Sequence, residues 1–358
     1  AKVEETVYEL AGKRFNIGST KQLATVLFED LSLPVIKKTK TGFSTDQEVL
    51  ERLAPNHEIA RHLLRIRTLA KLINTYTDVL KAAVVPETGR IHANFQQTVG
   101  VSGRLISTDP DLQRTPVKTP EGKRIREAFI ADDGWTLISA DWSQIELRVL
   151  AHVSKDERLV QAFAENADVH RETAAAVFGV EAPTVSAEQR TIGKTINFAT
   201  IYGQGATALS QMLGIARKEA KRYQEEFFRA YAGVRAWLDR TIEEASERGY
   251  VTTLLGRRRY ISELSSNNAQ DRSFGERVAT NTPIQGSAAD LCKLAMLDLA
   301  GRFRESGLRA RLLLQIHDEL VFEAPDEELE TVTDLVRTTM QTIWPLEVPL
   351  VVDLGTGP

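Results

Sequence analysis

The stretch LLLQIHDELVFEA, residues 312–324, decides how this chain is interpreted. Apolar residues on both sides of His317, Asp318 and Glu319 predict a strand that enters a hydrophobic core. Burying two adjacent carboxylates costs free energy unless a partner offsets their desolvation. The sequence therefore predicts that a compensating group lies opposite Asp318 and Glu319.

That group is expected near a second apolar segment, LISADWSQIELR, residues 137–148. Asp141 follows an apolar run there, so two acids reach the ends of two separate strands. A capping or turn role explains one such acid alone, whereas two acids at strand ends favour a shared divalent cation. Carboxylate oxygens suit magnesium, which keeps water ligands and is completed by substrate phosphates. His317 is expected to position or pack, because imidazole is a poor magnesium ligand.

Composition limits the class of protein. A chain of 358 residues with 42% hydrophobic and 26% charged residues is long enough for a large core and for two or three domains or subdomains. The single cysteine, Cys292, excludes an internal disulfide and a cysteine-rich zinc site. The N-terminus is too charged for a signal peptide, and no apolar run approaches membrane-spanning length. We therefore expect a soluble, intracellular protein. The net charge of -4 argues weakly against a nucleic-acid partner, so local charge patterning must decide.

Residues 1 to about 85 have a helical pattern. One amphipathic stripe comprises Ile59, Leu63, Ile66, Leu69 and Ile73. A lysine-bearing loop, residues 34–46, ends in the cap-like sequence Ser44-Thr45-Asp46. A solvated basic loop is the default interpretation of this segment, and phosphate contact becomes the better one only if other features indicate nucleic acid.

Strand-like segments lie on both sides of a long helical region. The pattern becomes β-like from about residue 86, including residues 134–153, and helices dominate from about 155 to 250. Strand signals return at residues 249–261, 309–324 and 348–355. This order predicts an α+β fold whose sheet is assembled from distant parts of the chain.

The helical region contains RTIGKTINFATIYGQG, residues 190–205, with an unusual face. Arg190, Lys194, Phe198 and Tyr202 recur at every fourth position and so form one slowly winding face. For each residue alone, buried rings and solvated charges are the better explanation. As a set, two cations at one end match a polyphosphate, and a ring two turns away could stack on a base.

With these motifs the sequence resembles the polymerase region of bacterial family A DNA polymerases. The three motifs of that family occur in order as DWSQIELR at 141, RTIGKTINFATIYG at 190 and HDE at 317. Supporting blocks are SGRLISTDPDLQRTP at 102, DVHRETA at 168, GRRRY at 256 and ERVATNTPIQGSAAD at 276. Their fixed order over nearly the whole chain makes a chance similarity very improbable.

The resemblance implies a right-hand polymerase fold with an antiparallel palm sheet, helical fingers and a helical thumb. The expected boundaries are thumb 1–85, first palm part 86–165, fingers 166–270 and second palm part 271–358. The family's first palm strands and first long thumb helix are not recognised, so the thumb is expected to be incomplete. The proofreading and 5′-nuclease domains are also not recognised, so no exonuclease activity is expected.

The resemblance also assigns a metal site. Asp141 and Asp318 would hold two Mg²⁺ ions together with the backbone carbonyl of Trp142, which stands where the family usually has tyrosine. Mn²⁺ is expected to be able to replace Mg²⁺. One ion would lower the pKa of the primer 3′-hydroxyl, and the other would neutralise the triphosphate and the leaving pyrophosphate. Glu319 would support the site from outside the ligand set.

Further roles transfer position by position from the resemblance. The nucleotide-binding positions would be Arg190, Lys194, Phe198, Tyr202, His170, Glu146 and Gln144. The positions that touch primer and template, mainly in the minor groove, would be Arg104, Arg277, Asn281, Gln285 and His317. Structural alternatives stay open for three of them. Glu146 could pair with Arg148, Asn281 could pack inside a helix, and Arg277 could pair with Glu276 or Asp290.

The implied activity is template-directed extension of a primer 3′-end with deoxynucleoside triphosphates. The implied partners are primer-template DNA and nucleotides, for a monomer without a membrane partner. The cytoplasm, with the bacterial nucleoid, is the implied location, and an organelle or a phage-infected cell stays open. A single-subunit RNA polymerase relative and a catalytically weak primer-template binding module are the alternatives. Asp111, Arg114 and Ala199 depart from the family pattern and bear on primer affinity and finger mobility.

Overall fold

The computed structural model describes residues 2–40, 42–116 and 119–358, and the chain divides into two compact units. The first unit comprises Ala1–Ala93 and Arg114–Ala128, and the second comprises Asn94–Gln113 and Phe129–Pro358. Each unit has its own hydrophobic core. No helix within the described ranges is long and apolar enough to cross a membrane.

The first unit is mainly helical, as predicted. Its α-helices are α1 (Lys2–Ala11), α2 (Thr20–Ala24), α3 (Gln47–Leu53), α4 (Glu58–Leu72), α5 (Asp78–Ala82) and α6 (Pro120–Arg126). Its two hairpins are formed by β1 (Lys38–Thr39) with β2 (Gly42–Phe43) and by β3 (Val84–Val85) with β4 (Arg90–Ile91). Segments of π-helix follow α2 over Thr25–Asp30 and α4 over Ile73–Thr77.

The apolar stripe predicted for α4 is confirmed only in part. Ile59 and Leu63 are buried in the core, whereas the side chain of Ile73 is 48% exposed. The α-helix that carries the stripe ends at Leu72, and the chain becomes π-helical at Ile73. Leu72 is buried beside it.

The lysine-bearing loop forms the β1–β2 hairpin and leads into α3, while Thr41 lies outside the described residues. Asp46 is the N-cap of α3, as predicted, and its carboxylate accepts a 3.0 Å hydrogen bond from the backbone N–H of Val49. Lys37 donates to the other oxygen of Asp46 at 2.8 Å. Lys37 therefore stabilises a helix cap, whereas Lys38 and Lys40 are exposed.

A four-stranded antiparallel sheet organises the second unit. Its strands are β7 (Trp135–Trp142), β10 (Arg311–Ile316), β11 (Glu319–Pro325) and β12 (Val352–Gly357), in the order β10-β11-β7-β12. Two hairpins accompany it, namely β5 (Asn94–Gln96) with β6 (Ile106–Thr108) and β8 (Tyr250–Thr252) with β9 (Arg258–Tyr260). The sheet joins strands from distant parts of the chain, which confirms the predicted α+β class.

The prediction of one continuous strand over residues 312–324 is wrong. β10 ends at Ile316 and β11 begins at Glu319, so His317 and Asp318 form the turn of a hairpin. His317 has a φ of 55°, the left-handed conformation that tight two-residue hairpin turns require. Asp318 and Glu319 therefore lie at the end of the sheet rather than in the middle of a core strand.

Helices dominate residues 155–250 of the second unit, as predicted. The helices are α7 (Ile145–Ser154), α8 (Glu157–Ala164), α9 (Val169–Phe178), α10 (Ala187–Ile201), α11 (Ala206–Leu213), α12 (Arg217–Ala230), α13 (Ala232–Arg248), α14 (Ala269–Glu305) and α15 (Leu329–Thr342).

The β-like interpretation of residues 134–153 is wrong beyond Trp142, because Ile145–Ser154 is helix α7. All residues from 145 to 151 are buried, so the segment lacks the polar face that gives a helix its periodicity. The direction of the chain changes at Gln144, which has a left-handed φ of 55°. This local conformation turns the end of β7 into the start of α7.

Candidate active site

Three carboxylates stand side by side across the sheet. Asp141 near the end of β7 pairs in register with Glu319 on β11 and with Asp353 on β12. Residues directly opposite each other in antiparallel strands project to the same face of a sheet. Asp318 lies in the turn just before Glu319, so the two strand ends that the sequence suggested as partners are neighbours.

Hydrogen bonds hold the hairpin turn in place. The side-chain amide of Gln113 donates to the backbone oxygen and to the side-chain oxygen of Gln315, both at 3.0 Å. Gln315 in turn donates to the backbone oxygen of His317. The backbone N–H of Trp142 donates to the backbone oxygen of Asp318 at 3.4 Å. These bonds fix the backbone around Asp318 relative to the end of β7.

The electrostatics of the acidic row centre on Asp141. Burial raises the pKa of Asp141 to about 6, and the negative charges of Glu319, Asp318 and Asp353 add to the effect. Glu319 has a local donor, because the hydroxyl of Ser139 donates to its carboxylate at 2.5 Å. A carboxylate whose charge is disfavoured by several acids is stabilised by a bound cation.

The donor set suits a hard divalent cation that keeps open positions. Within residues 2–40, 42–116 and 119–358, no group of three or more His, Cys, Asp or Glu side chains forms a metal cage. Asp141, Asp318 and the backbone carbonyl of Trp142 offer only oxygen atoms. Magnesium is usually bound by one or two carboxylates, with waters and substrate phosphates completing its shell. The residues present therefore fit Mg²⁺ bound together with a phosphate substrate.

A partly buried polar cluster, with Glu146 as its buried member, connects the acidic row to the end of α10. One terminal nitrogen of Arg104 contacts Glu146 at 2.8 Å and Asp318 at 3.3 Å. The hydroxyl of Tyr202 donates to the other oxygen of Glu146 at 3.2 Å. Burial raises the pKa of Glu146, and it also raises the pKa of Tyr202 to about 12. Asp318 is thus linked to Tyr202 through Arg104 and Glu146.

The alternative pairing of Glu146 with Arg148 is not formed. Arg148 donates instead to the backbone oxygens of Ser143 at 2.8 Å and Pro349 at 2.5 Å. Its guanidinium also lies 4.5 Å from the ring centroid of Phe163. Glu146 is therefore available to bond Arg104 and Tyr202.

Gln144 begins the helix that carries Glu146. Its side-chain oxygen is buried and has no hydrogen-bond partner among the described residues. A buried amide oxygen without a protein partner is unfavourable and is a candidate to accept a bond from a ligand or a water molecule.

Helix α10 presents the face that the sequence predicted. A capping box of Ser186 and Gln189 starts the helix. The ammonium of Lys194 lies 5.9 Å from the ring centroid of Phe198. The rings of Phe198 and Tyr202 are stacked with centroids 6.4 Å apart. The cations and the aromatic rings therefore follow one another along one face, with Tyr202 as the C-cap.

The first cation of this face is held by Asp168. Arg190 Nε contacts Asp168 Oδ2 at 2.5 Å, and Asp168 Oδ1 caps α9 through the backbone N–H groups of His170 and Arg171. Burial raises the pKa of Asp168, but the hydrogen bonds from Arg190 and from the backbone of Arg171, with the nearby positive charge of Arg190, together bring the pKa below its ordinary value. Using Nε for this contact leaves the terminal nitrogens of Arg190 without a bond among the described residues.

His170 lies beneath α10 and is almost completely buried. Its Nδ1 is 3.0 Å from the side-chain nitrogen of Asn197, and burial lowers the pKa of its ring to about 4. Its ring centroid is 6.0 Å from that of Phe198. A Cβ at Gly193 would lie 2.3 Å from the backbone oxygen of His170, so only glycine lets α10 approach α9 this closely.

Helix α14 carries three further predicted residues, two of which, Arg277 and Asn281, lie near the end of α10. Arg277 donates to the hydroxyl of Ser273 at 3.0 Å and, among the described residues, pairs with neither Glu276 nor Asp290. Asn281 donates to the backbone oxygen of Ile201 at 3.5 Å. Gln285 is half-buried on the same helix. The described contacts of Asn281 therefore agree with the packing alternative as well as with a binding role.

The GRRRY segment braces the second unit. Arg257 pairs with Asp290 at 2.9 Å and donates to the backbone oxygens of Ser102 and Gly286. Arg259 donates to the hydroxyl of Thr282 at 3.0 Å. These two arginines are therefore engaged inside the unit.

The fold accommodates the three residues that depart from the family pattern, Asp111, Arg114 and Ala199. Ala199 is 1% exposed within the core beneath α10, so its methyl group is packed. Arg114 accepts a 2.8 Å hydrogen bond from the hydroxyl of Tyr76 at its backbone oxygen. Asp111 is half-buried and directly precedes a 3₁₀ turn over Leu112–Arg114.

Sequence reasoning missed three residues of the site. Asp353 was hidden in the strand signal VPLVVDLG, and Asn197 and Asp168 were quoted only inside longer motifs. An acid in an otherwise apolar strand was the available signal for Asp353. The N-cap role of Asp168 has a local signal, an aspartate directly before a helix. Its contact with Arg190 and the contacts of Asn197 have none, because they depend on the packing of α9 against α10.

Comparisons with known proteins agree with this architecture. The profile of DNA polymerase family A matches residues 1–358. The chain is 50% identical over 357 residues to DNA polymerase I of Geobacillus stearothermophilus, covering 99% of this chain and 41% of that protein. It is also 50% identical over 359 residues to the thermostable DNA polymerase I of Thermus aquaticus, covering 100% of this chain and 43% of that protein.

A solved structure is similar as well. The POL domain of Pol1 from M. smegmatis, in complex with DNA primer-template and dNTP, has a TM-score of 0.90 and 43% sequence identity, covering 99% of this chain and 63% of that chain. This similarity confirms the predicted polymerase fold. The chain spans about two fifths of the length of the curated relatives it matches. It belongs to DNA polymerase family A.

Proposed function

We propose that this chain is a template-directed DNA polymerase that extends a primer 3′-end with deoxynucleoside triphosphates. The observation that carries the proposal is the chain of contacts from Asp318 through Arg104 and Glu146 to Tyr202 at the end of α10. It joins a pair of strand-end acids to a helix face with two cations and two rings. The solved relative with primer-template and dNTP supports the same substrates.

The acidic row is the proposed metal site. Asp141 and Asp318, with the backbone carbonyl of Trp142, would hold two Mg²⁺ ions, for which Mn²⁺ could substitute. When bound, such ions activate the primer 3′-hydroxyl and neutralise charge on the triphosphate and the leaving pyrophosphate. Glu319 stays outside the ligand set and, with its bond from Ser139, keeps the local charge negative.

The proposed triphosphate site is the cationic start of the α10 face. Arg190 and Lys194 are separated by one turn of helix, and His170 lies below them in the adjacent helix α9. Asp168 leaves the terminal nitrogens of Arg190 available for bidentate contact with phosphate oxygens. Phe198 would then lie against the base and sugar, and Tyr202 would guard the template side of the new pair.

Glu146 is the proposed determinant of sugar choice. Its carboxylate is held by Arg104 and Tyr202 and is 5% exposed, so it has little freedom to move aside. A fixed group beneath the 2′-carbon excludes a ribose hydroxyl by collision. Gln144, whose buried side-chain oxygen lacks a protein partner, is proposed to contact the nucleotide from the same helix start.

Primer and template are proposed to contact Arg104, Arg277, Asn281, Gln285 and His317. Minor-groove acceptors are alike for every correct base pair, so such contacts test pair geometry without reading sequence. We also propose a division into thumb (1–85), palm (86–165 and 271–358) and fingers (166–270). The chain is proposed to act as a monomer.

Primer extension with Mg²⁺ and either deoxy- or ribonucleotides tests the proposal. We expect extension with deoxynucleotides and loss of that extension in Asp141→Asn. Asp334→Asn is the matched control, because Asp334 is exposed on α15 and pairs with nearby Arg337 at 3.0 Å. Preferential use of ribonucleotides would favour an RNA polymerase relative. Tight binding of primer-template without any extension would indicate that the chain is a primer-template binding module.

A further inference from the structure

A buried chain of polar side chains runs behind α10 and ends at His170. The hydroxyl oxygens of Tyr231 and Thr173 are 3.2 Å apart, and Thr173 Oγ1 is 3.0 Å from Asn197 Oδ1. The side-chain nitrogen of Asn197 is 3.0 Å from His170 Nδ1. The four side chains are at most 4% exposed, so solvent does not satisfy them.

Counting hydroxyl protons fixes the direction of this chain. With the Asn197 oxygen towards Thr173, the Tyr231 hydroxyl donates to Thr173, which donates to Asn197, whose NH₂ group donates to His170 Nδ1. If the amide were reversed, Thr173 would accept from Asn197 and donate to Tyr231. The Tyr231 proton would then have no acceptor among the described residues. A buried donor without an acceptor is unfavourable, so the first direction is favoured.

The ring of His170 carries one proton. Burial lowers its pKa to about 4; Asp168 opposes this shift, while Arg190 and Lys194 reinforce it. A neutral imidazole has one donor and one acceptor nitrogen, and the bond made by one nitrogen sets the role of the other. If Nδ1 accepts from Asn197, Nε2 must carry the proton. Within the described residues, no group bonds Nε2.

We propose that Asn197 is a positioning residue that fixes His170 as the Nε2–H tautomer, so that the ring offers an N–H donor to an anionic ligand. For the identity of that ligand, a nucleoside triphosphate, the inference rests on the proposed function. The other tautomer would turn a lone pair towards the phosphate and replace attraction with repulsion. Thr173 and Tyr231 serve the same purpose indirectly, because they keep the Asn197 amide from reversing.

Nitrogen-15 NMR of the full chain with labelled histidine rings measures the tautomer directly. The chain has six histidines, and His170→Gln identifies the ring signals of residue 170 by their loss. Nε2 is recognised because it couples to both carbon-bound ring protons, whereas Nδ1 couples mainly to one. We expect a protonated Nε2 and an unprotonated Nδ1 in the free protein at neutral pH. A protonated Nδ1, in either a neutral or a charged ring, would overturn the proposal.

Substitutions at Asn197 and Thr173 distinguish a positioning role for these residues from simple packing. Asn197→Asp replaces the donor with an acceptor, so we expect the proton to move to Nδ1. Thr173→Val should allow the amide to reverse and mix the two tautomers, while Thr173→Ser keeps the hydroxyl and should restore the wild-type pattern. Thr200→Val is the control, since Thr200 is a buried α10 residue whose hydroxyl donates to the backbone oxygen of Ile196 at 2.9 Å, outside the orienting chain. A wild-type ring pattern in folded Thr173→Val would refute the orienting chain.

Binding of a triphosphate to His170 is measured separately from the tautomer. On adding a deoxynucleoside triphosphate with Mg²⁺ and primer-template, the Nε2–H signal of the wild type is expected to shift. Loss of a hydrogen bond to a charged group predicts a KM for nucleotide that rises roughly tenfold or more in Asn197→Asp. The expected tautomer without any response to triphosphate would refute the nucleotide site in the proposed function. The wrong tautomer in an active polymerase would refute only the role of Asn197.

Discussion

Removing the carboxylate of Glu146 should change both the selectivity between ribo- and deoxynucleotides and the free energy of unfolding, and the two effects can be measured separately. In Glu146→Ala, Tyr202 loses the acceptor of its 3.2 Å hydrogen bond, and Arg104 loses one carboxylate but keeps its 3.3 Å contact with Asp318. Breaking a buried ion pair by removing one partner costs about 3–5 kcal/mol. Because Arg104 keeps one carboxylate, we expect the free energy of unfolding to fall by about 3 kcal/mol, the low end of that range.

Selectivity should move in favour of ribonucleotides. Discrimination by the size of a pocket is worth about 1–3 kcal/mol, or roughly 10–200-fold. If Glu146 closes the space beneath the 2′-carbon, its removal should raise the ratio of ribo- to deoxynucleotide kcat/KM by about tenfold or more. Absolute rates are expected to fall, because the cavity loosens Arg104 and Tyr202.

The assay is single-nucleotide incorporation with matched ribo- and deoxynucleotides, together with urea unfolding. Glu323→Ala is the matched control, since Glu323 is a fully buried glutamate that pairs with Arg311 at 2.9 Å, away from the acidic row. It should destabilise the fold without changing the sugar ratio. An unchanged ratio in Glu146→Ala, or an equal change in both variants, would show that Glu146 does not select the sugar.

Four other expectations follow from the site. Asp318→Asn should retain the fold by circular dichroism yet lose on the order of a thousandfold in extension rate; near-normal extension would contradict the metal assignment. Lys194→Ala should weaken nucleotide affinity and rate while primer-template binding, measured by anisotropy, holds; the reverse pattern would move Lys194 to the duplex site. The pKa of Asp141 is raised from 3.8 to about 6, so without metal the free energy of unfolding should fall as pH rises from about 4 to about 6 and this carboxyl ionises. Urea unfolding measured over that pH range should show a smaller fall in Asp141→Asn. Duplex affinity should fall with salt, and replacing Lys38 and Lys40 with alanine should reduce the slope of log affinity against log salt; a flat wild-type dependence would exclude phosphate contacts.

The sequence was most informative where spacing alone determines geometry. Arg190, Lys194, Phe198 and Tyr202 form one face because a four-residue spacing nearly matches the helical repeat, whatever surrounds the helix. An acid at the end of an apolar run likewise predicts a strand end, as found for Asp141. Both inferences need only local backbone geometry.

Features set by tertiary contacts were not predictable in this way. The hairpin turn at His317 contains no glycine, so nothing in the sequence marked the left-handed residue that splits β10 from β11. Helix α7 is buried on all sides of its first seven residues, which removes the polar periodicity that distinguishes a helix from a strand. Asp353 meets Asp141 only through the register of β12, a pairing between residues more than 200 positions apart.

The free protein offsets the charges of its acidic row unequally. Asp318 is contacted by Arg104, and Glu319 accepts a hydrogen bond from Ser139. Within the described ranges Asp141 has no cation at salt-bridge distance, and it is the acid whose pKa is raised to about 6. A divalent cation would therefore relieve uncompensated charge at Asp141 but compete with an arginine at Asp318. If Arg104 contacts DNA as proposed, substrate binding would draw it away from Asp318 and free that acid for the metal. Duplex binding would then be coupled to completion of the proposed metal site.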